Sequence, residues 1–326
     1  MSDLVVVTGA GGFIGSHLCE SLVRDGARVR ALVHYNGRND WGMLELVAPE
    51  IRRELEVVAG DIRDPFGVRA AVAGCGVVYH LAALIAIPYS YRAPQTFFET
   101  NVLGTLNVLQ AALDAGVRRV VHTSTSEVYG TAREVPIPET HPLQAQSPYS
   151  ASKIGADKVA ESFHLAFGLP VVTVRPFNTF GPRQSARAVI PTIASQALAG
   201  LPVRLGALAP TRDLLYVADT VRGLRAAAAA EGAVGQVINL GTGREISIGD
   251  LARLILRLTG AKTGVEHDDA RLRPERSEVQ RLCAKVERAA ELLGWRPEFT
   301  LEQGLEQVIA FLRAHPERYK PEIYNT

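Results

Sequence analysis

Short apolar runs recur through the first half of the chain: Leu4–Val7, Ala27–Val33, Leu55–Ala59, Val77–Ala83, Arg119–Thr123 and Val171–Val174. They are rich in β-branched residues and lack polar alternation, as expected of strands buried on both faces. Between them the apolar positions fall at helical spacing, as at Leu18, Leu22 and Val23. The longest such stretch is Pro94–Ala115, with Phe97, Phe98, Val102, Leu106, Leu109 and Leu113, and it predicts one long helix. Strand and helix alternating in this way give a doubly wound parallel α/β sheet. After Arg175 the pattern changes. Pro176, Pro182, Pro191, Pro202 and Pro210 punctuate short elements, which suits a smaller α/β substrate-binding cap. Leu214–Val217 and Val237–Leu240 read as short strands whose intervening helix returns to the main sheet, and the tail from Ile246 reads as helices with basic loops. The expected division is residues 1–175 plus roughly 213–243 for one domain and roughly 176–212 plus 244–326 for the other.

Chemistry-bearing residues collect where the runs end. The first run is followed at once by Gly9, Gly12 and Gly15 in G-x-x-G-x-x-G spacing, then by a helix. Glycines there allow a tight turn and close backbone approach to a pyrophosphate, and the helix amino terminus favours its charge. This is the signature of a Rossmann sheet that binds a dinucleotide. The second run ends in His34–Arg38 rather than in an acid. Without a carboxylate to repel a 2′-phosphate, NADP is tolerated beside NAD, with Arg38 as its reader or simply as a solvated loop residue. Asp61, after the third run, can accept from an adenine amino group or form a turn. Small residues after the fourth run let a cofactor lie close, and His80 within that run reads as a hydrogen-bonded core histidine.

The fifth run feeds Ser124–Gly130, and Tyr149 and Lys153 follow four residues apart, on one side of a helix. An ammonium beside a phenol favours phenolate, so Tyr149 can take a proton from a sugar hydroxyl, and Glu127 supplies a second base.

Composition adds exclusions. With 326 residues, 47% hydrophobic content and a formal net charge of +1, the chain suits a large core and lacks the basic excess that nucleic acid or an anionic membrane demands. Cys19, Cys75 and Cys283 form no C-x-x-C, and the eight histidines form no H-x-x-x-H. No disulfide framework and no metal are expected, and a reducing, cytoplasmic setting is. Asp3 stands where a secretory signal needs positive charge, and no apolar run is long enough to span a bilayer.

The stretches together resemble the extended short-chain dehydrogenase/reductase superfamily over essentially the whole chain. They are T-G-A-G-G-F-I-G-S-H from Thr8, G-D-I from Gly60, H-L-A-A from His80, Asn101, Y-x-x-x-K at Tyr149 and Lys153, R-P-F-N from Arg175 and L-G-W-x-P from Leu293. T-S-E-V-Y-G from Thr125 resembles the nucleotide-sugar 4,6-dehydratases, in which the Thr and Glu are catalytic. H-Y-N-G-R-N-D-W-G, A-A-L-I-A-I-P-Y-S-Y and G-P-R-Q-S-A-R-A-V-I-P-T are most similar to the legionaminic-pathway enzymes, which act on an N-acetylglucosamine nucleotide.

The resemblance implies a tightly held NAD or NADP touching Gly9, Gly12, Phe13, Ile14, Gly15, Arg38, Asp61, Ile62, Leu81, Ala82, Ala83, Tyr149 and Lys153. It implies a nucleotide-sugar substrate against Ile85, Thr125, Asn178, Val189, Arg212 and Arg273, with Arg183 and Arg187 as weaker candidates. The surplus apolar surface of Pro94–Ala115 suits a dimer seam or burial within the monomer, and together with the resemblance it predicts a homodimer. Tyr149 and Lys153 would oxidise carbon 4 with Thr125 on its oxygen, and Glu127 would take the carbon-5 proton. Ser126 or protonated Glu127 would assist loss of the carbon-6 hydroxyl before hydride returns there. Ser126 is the departure: dTDP-glucose dehydratases carry an aspartate at this position, GDP-mannose dehydratases a serine. UDP-glucuronate decarboxylases also carry T-S-E-V-Y-G, so decarboxylation, 4-epimerisation and an NADP-binding sensor or scaffold are the competing readings.

Overall fold

The computed structural model describes residues 4–325, so Asp3 lies outside the described residues. Strands β1 (Leu4–Thr8), β2 (Arg28–His34), β3 (Leu55–Gly60), β4 (Val77–His80), β5 (Arg119–Thr123) and β6 (Val171–Pro176) join strand Val237–Leu240 in one seven-stranded sheet. The order across it is β3-β2-β1-β4-β5-β6 and then Val237–Leu240, parallel throughout. The order reverses between β1 and β4, which opens a crevice at their carboxyl ends. That crevice is where the glycine turn and residues 81–85 meet.

Both faces of the sheet are covered, which accounts for the uninterrupted apolar runs. Val5 and Val7 of β1 pack with Leu18 and Leu22 of helix α1 (Phe13–Arg24) and Leu224 of helix Val217–Ala229. Val6 points the other way, into a core with Val68, Val108, Leu109, Ala160 and Phe163. These belong to helices Pro65–Val72, Gly104–Asp114 and Pro148–Phe167. Three differences from the sequence reading stand out. Strand β4 stops at His80 rather than Ala83: the Leu81 amide is shared between the Thr8 carbonyl and hydroxyl, both at 3.2 Å, and the Ala82 amide turns to the Thr8 hydroxyl at 3.1 Å.

The helix expected over Pro94–Ala115 is interrupted. An α-helical turn, Pro94–Phe98, runs into a π-helical segment, Glu99–Leu103, before the α-helix resumes at Gly104. Such a segment leaves a carbonyl without its ordinary partner. The Asn101 carbonyl, inside this segment, accepts from the Thr105 hydroxyl at 2.6 Å. The hydrophobic spacing is blind to this, because one extra residue per turn shifts the apolar stripe without abolishing it.

The cap carries more strand than the expected helices and basic loops. Asn178–Phe180 pairs with Leu214–Tyr216, Val203–Leu205 with Val265–His267, and Thr211–Arg212 with both Ile246–Ser247 and Arg281–Leu282. Strands of two or three residues are too short to show a period of two. Leu214–Tyr216 is thus bonded to the segment after β6 and not to the central sheet.

Candidate active site

The glycine turn is fixed by packing before any ligand is considered. Gly9 has φ +70°, and a Cβ there would stand 2.7 Å from the Ala82 amide nitrogen. Gly15 is equally closed, against the Gly9 carbonyl. Gly12 differs: its Cβ would meet nothing but Gly9 O, at 3.1 Å, so this position opens outward. Gly12 is also the N-cap of α1 and provides no side-chain cap, so the first-turn N–H groups of Phe13 and Ile14 face that opening. An uncapped helix amino terminus behind a glycine that faces open space fits a dinucleotide pyrophosphate.

The remaining candidate cofactor contacts divide. Ala82 and Ala83 border the turn and are partly exposed, as is Leu81. Ile62 is buried beneath Gly104, which leaves only its backbone for a ligand. Asp61 is engaged by Arg63, whose Nε and Nη2 donate to it at 3.0 and 2.6 Å and hold its carboxyl below the usual range. Arg38 is exposed, with its guanidinium 4.0 Å from Asp40, so a phosphate would compete with a carboxylate for it. The loop therefore does carry an acid, six residues beyond the end of β2.

Tyr149 and Lys153 owe their placement to a strong helix start. Ser147 caps helix Pro148–Phe167 in a capping box with Ser150, and Pro148 stands in the first turn. This puts Tyr149 in the first turn and Lys153 one turn on, both buried. Thr125 ends the stretch after β5 as N-cap of a short 3-10 turn, Ser126–Tyr129, accepting from the Glu127 amide at 3.2 Å. Its side chain also lies close enough to the Tyr149 phenol to favour the phenolate. The charge of Glu127 reaches both Tyr149 and Arg212. Ser126 is buried. Thr125, Glu127 and Tyr149 thus lie together at the end of β5, with Lys153 one helical turn behind the tyrosine.

One expectation is corrected here. Lys153 was expected to draw the Tyr149 phenol down, but burial outweighs other influences and pushes it up. The Lys153 ammonium points instead to the Thr123 carbonyl, at 2.8 Å. Burial lowers the lysine itself to about 8, with Asp157 acting against the fall.

Asp157 is a residue that the sequence reading missed. It lies four positions beyond Lys153, so Tyr149, Lys153 and Asp157 form one i, i+4, i+8 stripe; that spacing was the available signal. Arg175 Nη2 donates to its Oδ2 at 2.9 Å, and His122 Nε2 lies 3.1 Å from its Oδ1. Arg175 Nη1 also donates to the Tyr129 hydroxyl at 3.0 Å, which donates to Asn239 Oδ1 at 2.7 Å. Burial alone would raise the Asp157 carboxyl, but the bond to His122 and the Arg175 charge bring it below the ordinary carboxylate range.

A second buried chain of hydrogen bonds ties β1 to the catalytic helix. His80 sits between Thr8 Oγ1 at 2.8 Å and Thr105 Oγ1 at 2.9 Å. Asn101 Nδ2 donates to Ser152 Oγ at 2.9 Å and to the Leu84 carbonyl. His80 is a bonded core histidine, as its setting in the sequence suggests, and burial keeps it neutral.

The candidate substrate residues lie on the cap side. Arg212 Nη2 donates to Glu278 Oε1 at 3.1 Å, and Arg273 Nη1 lies 3.6 Å from the same oxygen. Two cations thus converge on one carboxylate near Glu127, and sequence reasoning missed Glu278. Asn178 Oδ1 is buried with no protein partner. Ile85 is 59% exposed, and Val189 begins helix Val189–Leu198. Tyr91 and Ser277, 2.6 Å apart through their hydroxyls, join the segment after Ile85 to the segment after Arg273. Arg187 is exposed, whereas Arg183 is buried and turned away toward α1, which removes it as a substrate contact.

Comparison with known proteins agrees with this geometry. The sequence profile of the family described as GDP-mannose 4,6 dehydratase matches residues 6–308. A dTDP-glucose 4,6-dehydratase of Streptomyces antibioticus is 35% identical over 322 residues, covering 97% of this chain and 94% of its own length. A UDP-glucose 4-epimerase of Mycolicibacterium smegmatis is 36% identical over 317 residues, with coverages of 94% and 98%. The crystal structure of a dTDP-glucose 4,6-dehydratase from Streptomyces venezuelae, with NAD bound, superposes with a TM-score of 0.85 at 31% identity, covering 98% of this chain and 99% of that one.

Proposed function

Because the chain belongs to the GDP-mannose 4,6-dehydratase family of NAD(P)-dependent nucleotide-sugar enzymes, we propose that it is a nucleotide-sugar 4,6-dehydratase. Its substrate would be a nucleoside-diphosphate hexose, an N-acetylglucosamine nucleotide by the resemblance of residues 34–42, 82–91 and 181–192. The product would be the 4-keto-6-deoxy sugar.

The observation that carries this reading is Glu127. Relatives named as dehydratases and as epimerases are similar to this chain to the same degree, so identity alone favours neither. Epimerisation at carbon 4 needs one acid/base. Here Glu127 stands beside Tyr149 with its charge felt at both Tyr149 and Arg212. Against epimerisation, a second base has its work in removing a second proton, that on carbon 5, and the product test separates decarboxylation.

The roles follow from placement. Tyr149 takes the proton of the carbon-4 hydroxyl, with the Thr125 hydroxyl on the same oxygen. Lys153, one helical turn on from Tyr149, is anchored on the Thr123 carbonyl, so phenolate forms against the burial that raises the phenol. A nicotinamide dinucleotide held at the glycine turn before α1 would supply the hydride chemistry between carbon 4 and carbon 6. Glu127 removes the carbon-5 proton, made acidic by the new ketone. It then hands a proton to the departing carbon-6 hydroxyl, directly or through Ser126; as hydride reaches carbon 6, Glu127 relays a solvent proton back to carbon 5, and Tyr149 releases to solvent the proton it took. Arg212, Arg273 and Asn178 hold the diphosphate, and the substrate releases both cations from Glu278. NAD serves as cofactor, and NADP is accepted where its phosphate displaces Asp40 from Arg38.

The test is the mass of the product. Incubated with UDP-, dTDP- and GDP-hexoses and N-acetylhexosamines, the protein should return a nucleotide sugar lighter by one water. Release of carbon dioxide from a glucuronate nucleotide would mean decarboxylase, and an isomer of unchanged mass would mean epimerase.

We also propose a homodimer. Phe98, Leu103 and Leu106 are 44%, 52% and 38% exposed along the helical stretch 94–114, a concentration of apolar side chains unusual for a free surface. Leu109 is fully buried in the sheet core, so Leu106 is the position that tests the seam without touching the fold. Sedimentation at micromolar concentration should give a dimer, and Leu106→Arg should give a folded monomer. A monomeric wild type would remove the proposal.

A further inference from the structure

Segment Gly181–Arg183 follows strand Asn178–Phe180 and leads through residues 184–188 to Val189, so it joins two candidate substrate contacts. It lies directly on helix α1. Gly181 has no room for a side chain against Val217. The Pro182 carbonyl lies 3.0 Å from His17 Nε2. Arg183 Nη1 donates to Ser16 Oγ at 3.3 Å, and its Nη2 pairs with Glu20, whose other oxygen accepts from Arg24 at 2.5 Å. The side chains of Arg183 and Glu20 are each 10% exposed.

The backbone at Arg183 is the second observation. Its φ is +67°, in the left-handed region that a residue with a Cβ avoids. Asn39 is the other such residue among those described, and asparagine tolerates that region far better. A glycine would suit the turn, yet an arginine stands there with its guanidinium delivered to a buried carboxylate on another element. His17 beside it is held neutral, pushed down to about 4 by burial and by the Arg183 charge, so its Nε2–H donates to Pro182 O.

We propose that Arg183 and Glu20 are positioning residues that lock the substrate-bearing segment 178–189 onto the cofactor-binding helix, setting the register between sugar carbon 4 and the nicotinamide. The proposal rests on the nucleotide-sugar reading of the site. The two ligands are otherwise gripped by separate parts of the chain, the glycine turn before α1 on one side and Arg212, Arg273 and Asn178 on the other. Hydride transfer needs the two carbons nearly in contact, and a misplacement of about 1 Å costs on the order of a hundredfold in rate. A buried ion pair is poor evidence of stability on its own account, since desolvation offsets much of the attraction. Its worth here lies in direction: the planar fork of arginine fixes angle as well as distance.

The experiment uses the cofactor-loaded protein with Arg183→Gly, Arg183→Lys and Glu20→Gln. Arg183→Gly suits the left-handed backbone, so the turn survives while the pair is lost. Cofactor reduction is followed in a single turnover with nucleotide hexoses carrying deuterium at carbon 4. Each variant should slow reduction about tenfold to a hundredfold, and the isotope effect on turnover should rise because hydride transfer becomes limiting. The Glu20→Gln, Arg183→Gly double variant should be no slower than either single one. Hydrogen exchange gives a readout independent of turnover. UDP, dTDP or GDP bound to the loaded wild type should slow exchange in residues 13–20 as well as in 178–189. In Arg183→Gly the slowing should be confined to 178–189. Wild-type reduction rates with protection of α1 intact would overturn the proposal. So would a rate loss with an unchanged isotope effect, which marks a smaller folded fraction. A wild type that reduces no cofactor with any nucleotide hexose refutes the reading of the site, and the exchange comparison then still decides whether the pair couples the two segments.

Discussion

Replacing Glu127 by glutamine is expected to leave oxidation at carbon 4 intact while stopping water loss. The variant keeps Tyr149, Thr125 and Lys153 in place and removes one negative charge, whose presence raises the phenol. The first proton transfer should therefore become no harder. Removing a positioned base costs on the order of a hundredfold to ten-thousandfold, and here the whole cost falls on carbon 5. Mixing loaded Glu127→Gln protein with substrate should show reduced cofactor accumulating, with no deuterium from heavy water entering carbon 5. Tyr149→Phe should give the opposite pattern, with no reduced cofactor at all. If Glu127→Gln turned over at the wild-type rate, the proton at carbon 5 would have another acceptor and the dehydratase reading would lose its main support.

Asp157→Asn is expected to be the most destabilising single substitution near the site. Asp157 is 4% exposed and takes two bonds from Arg175 and one from His122. Asparagine leaves the Arg175 guanidinium buried without a counter-charge, and breaking such a pair costs about 3–5 kcal/mol. Urea unfolding should show the loss as a lower midpoint at unchanged slope. Changing Asp157 to Leu together with Arg175 to Met should cost less than the sum of the singles, because no lone charge remains. The pH dependence has a definite sign. The folded carboxyl lies below its unfolded value, so its contribution is present above the ordinary aspartate range, near about 3.9. It is lost as pH falls through the lower folded value. A midpoint difference between wild type and variant that did not shrink in strong acid would refute this account.

The central sheet was legible because strands buried on both faces leave continuous apolar runs. The glycine turn and the Tyr149 helix were legible because their geometry depends on local chemistry: Gly9 at positive φ, Ser147 and Pro148 at a helix start. What escaped depends on distant pairing. Nothing near Glu278 announces that Arg212, from a distant strand, joins the nearby Arg273 on it, and nothing near Arg183 shows that its side chain turns inward. The Tyr149 phenol went the wrong way because spacing along a helix reports which residues share a face, and not how much water each has lost. Asp157 was within reach of the same spacing rule that found Lys153.

The π-helical segment at Glu99–Leu103 gives one helical stretch two masters. Phe97, before it, packs edge-on against the Tyr149 ring at 6.3 Å, while Val108, Leu109 and Ala112, after it, fill the sheet core. One surplus residue turns the first half by about 100° relative to the second. Cutting a single residue from 99–103 would restore uniform winding and improve the helix as a helix. It would also carry Phe97 off the tyrosine and Asn101 away from Leu84 and Ser152. The irregularity aims two halves of one stretch at different partners, and the straighter protein is expected to be the poorer catalyst.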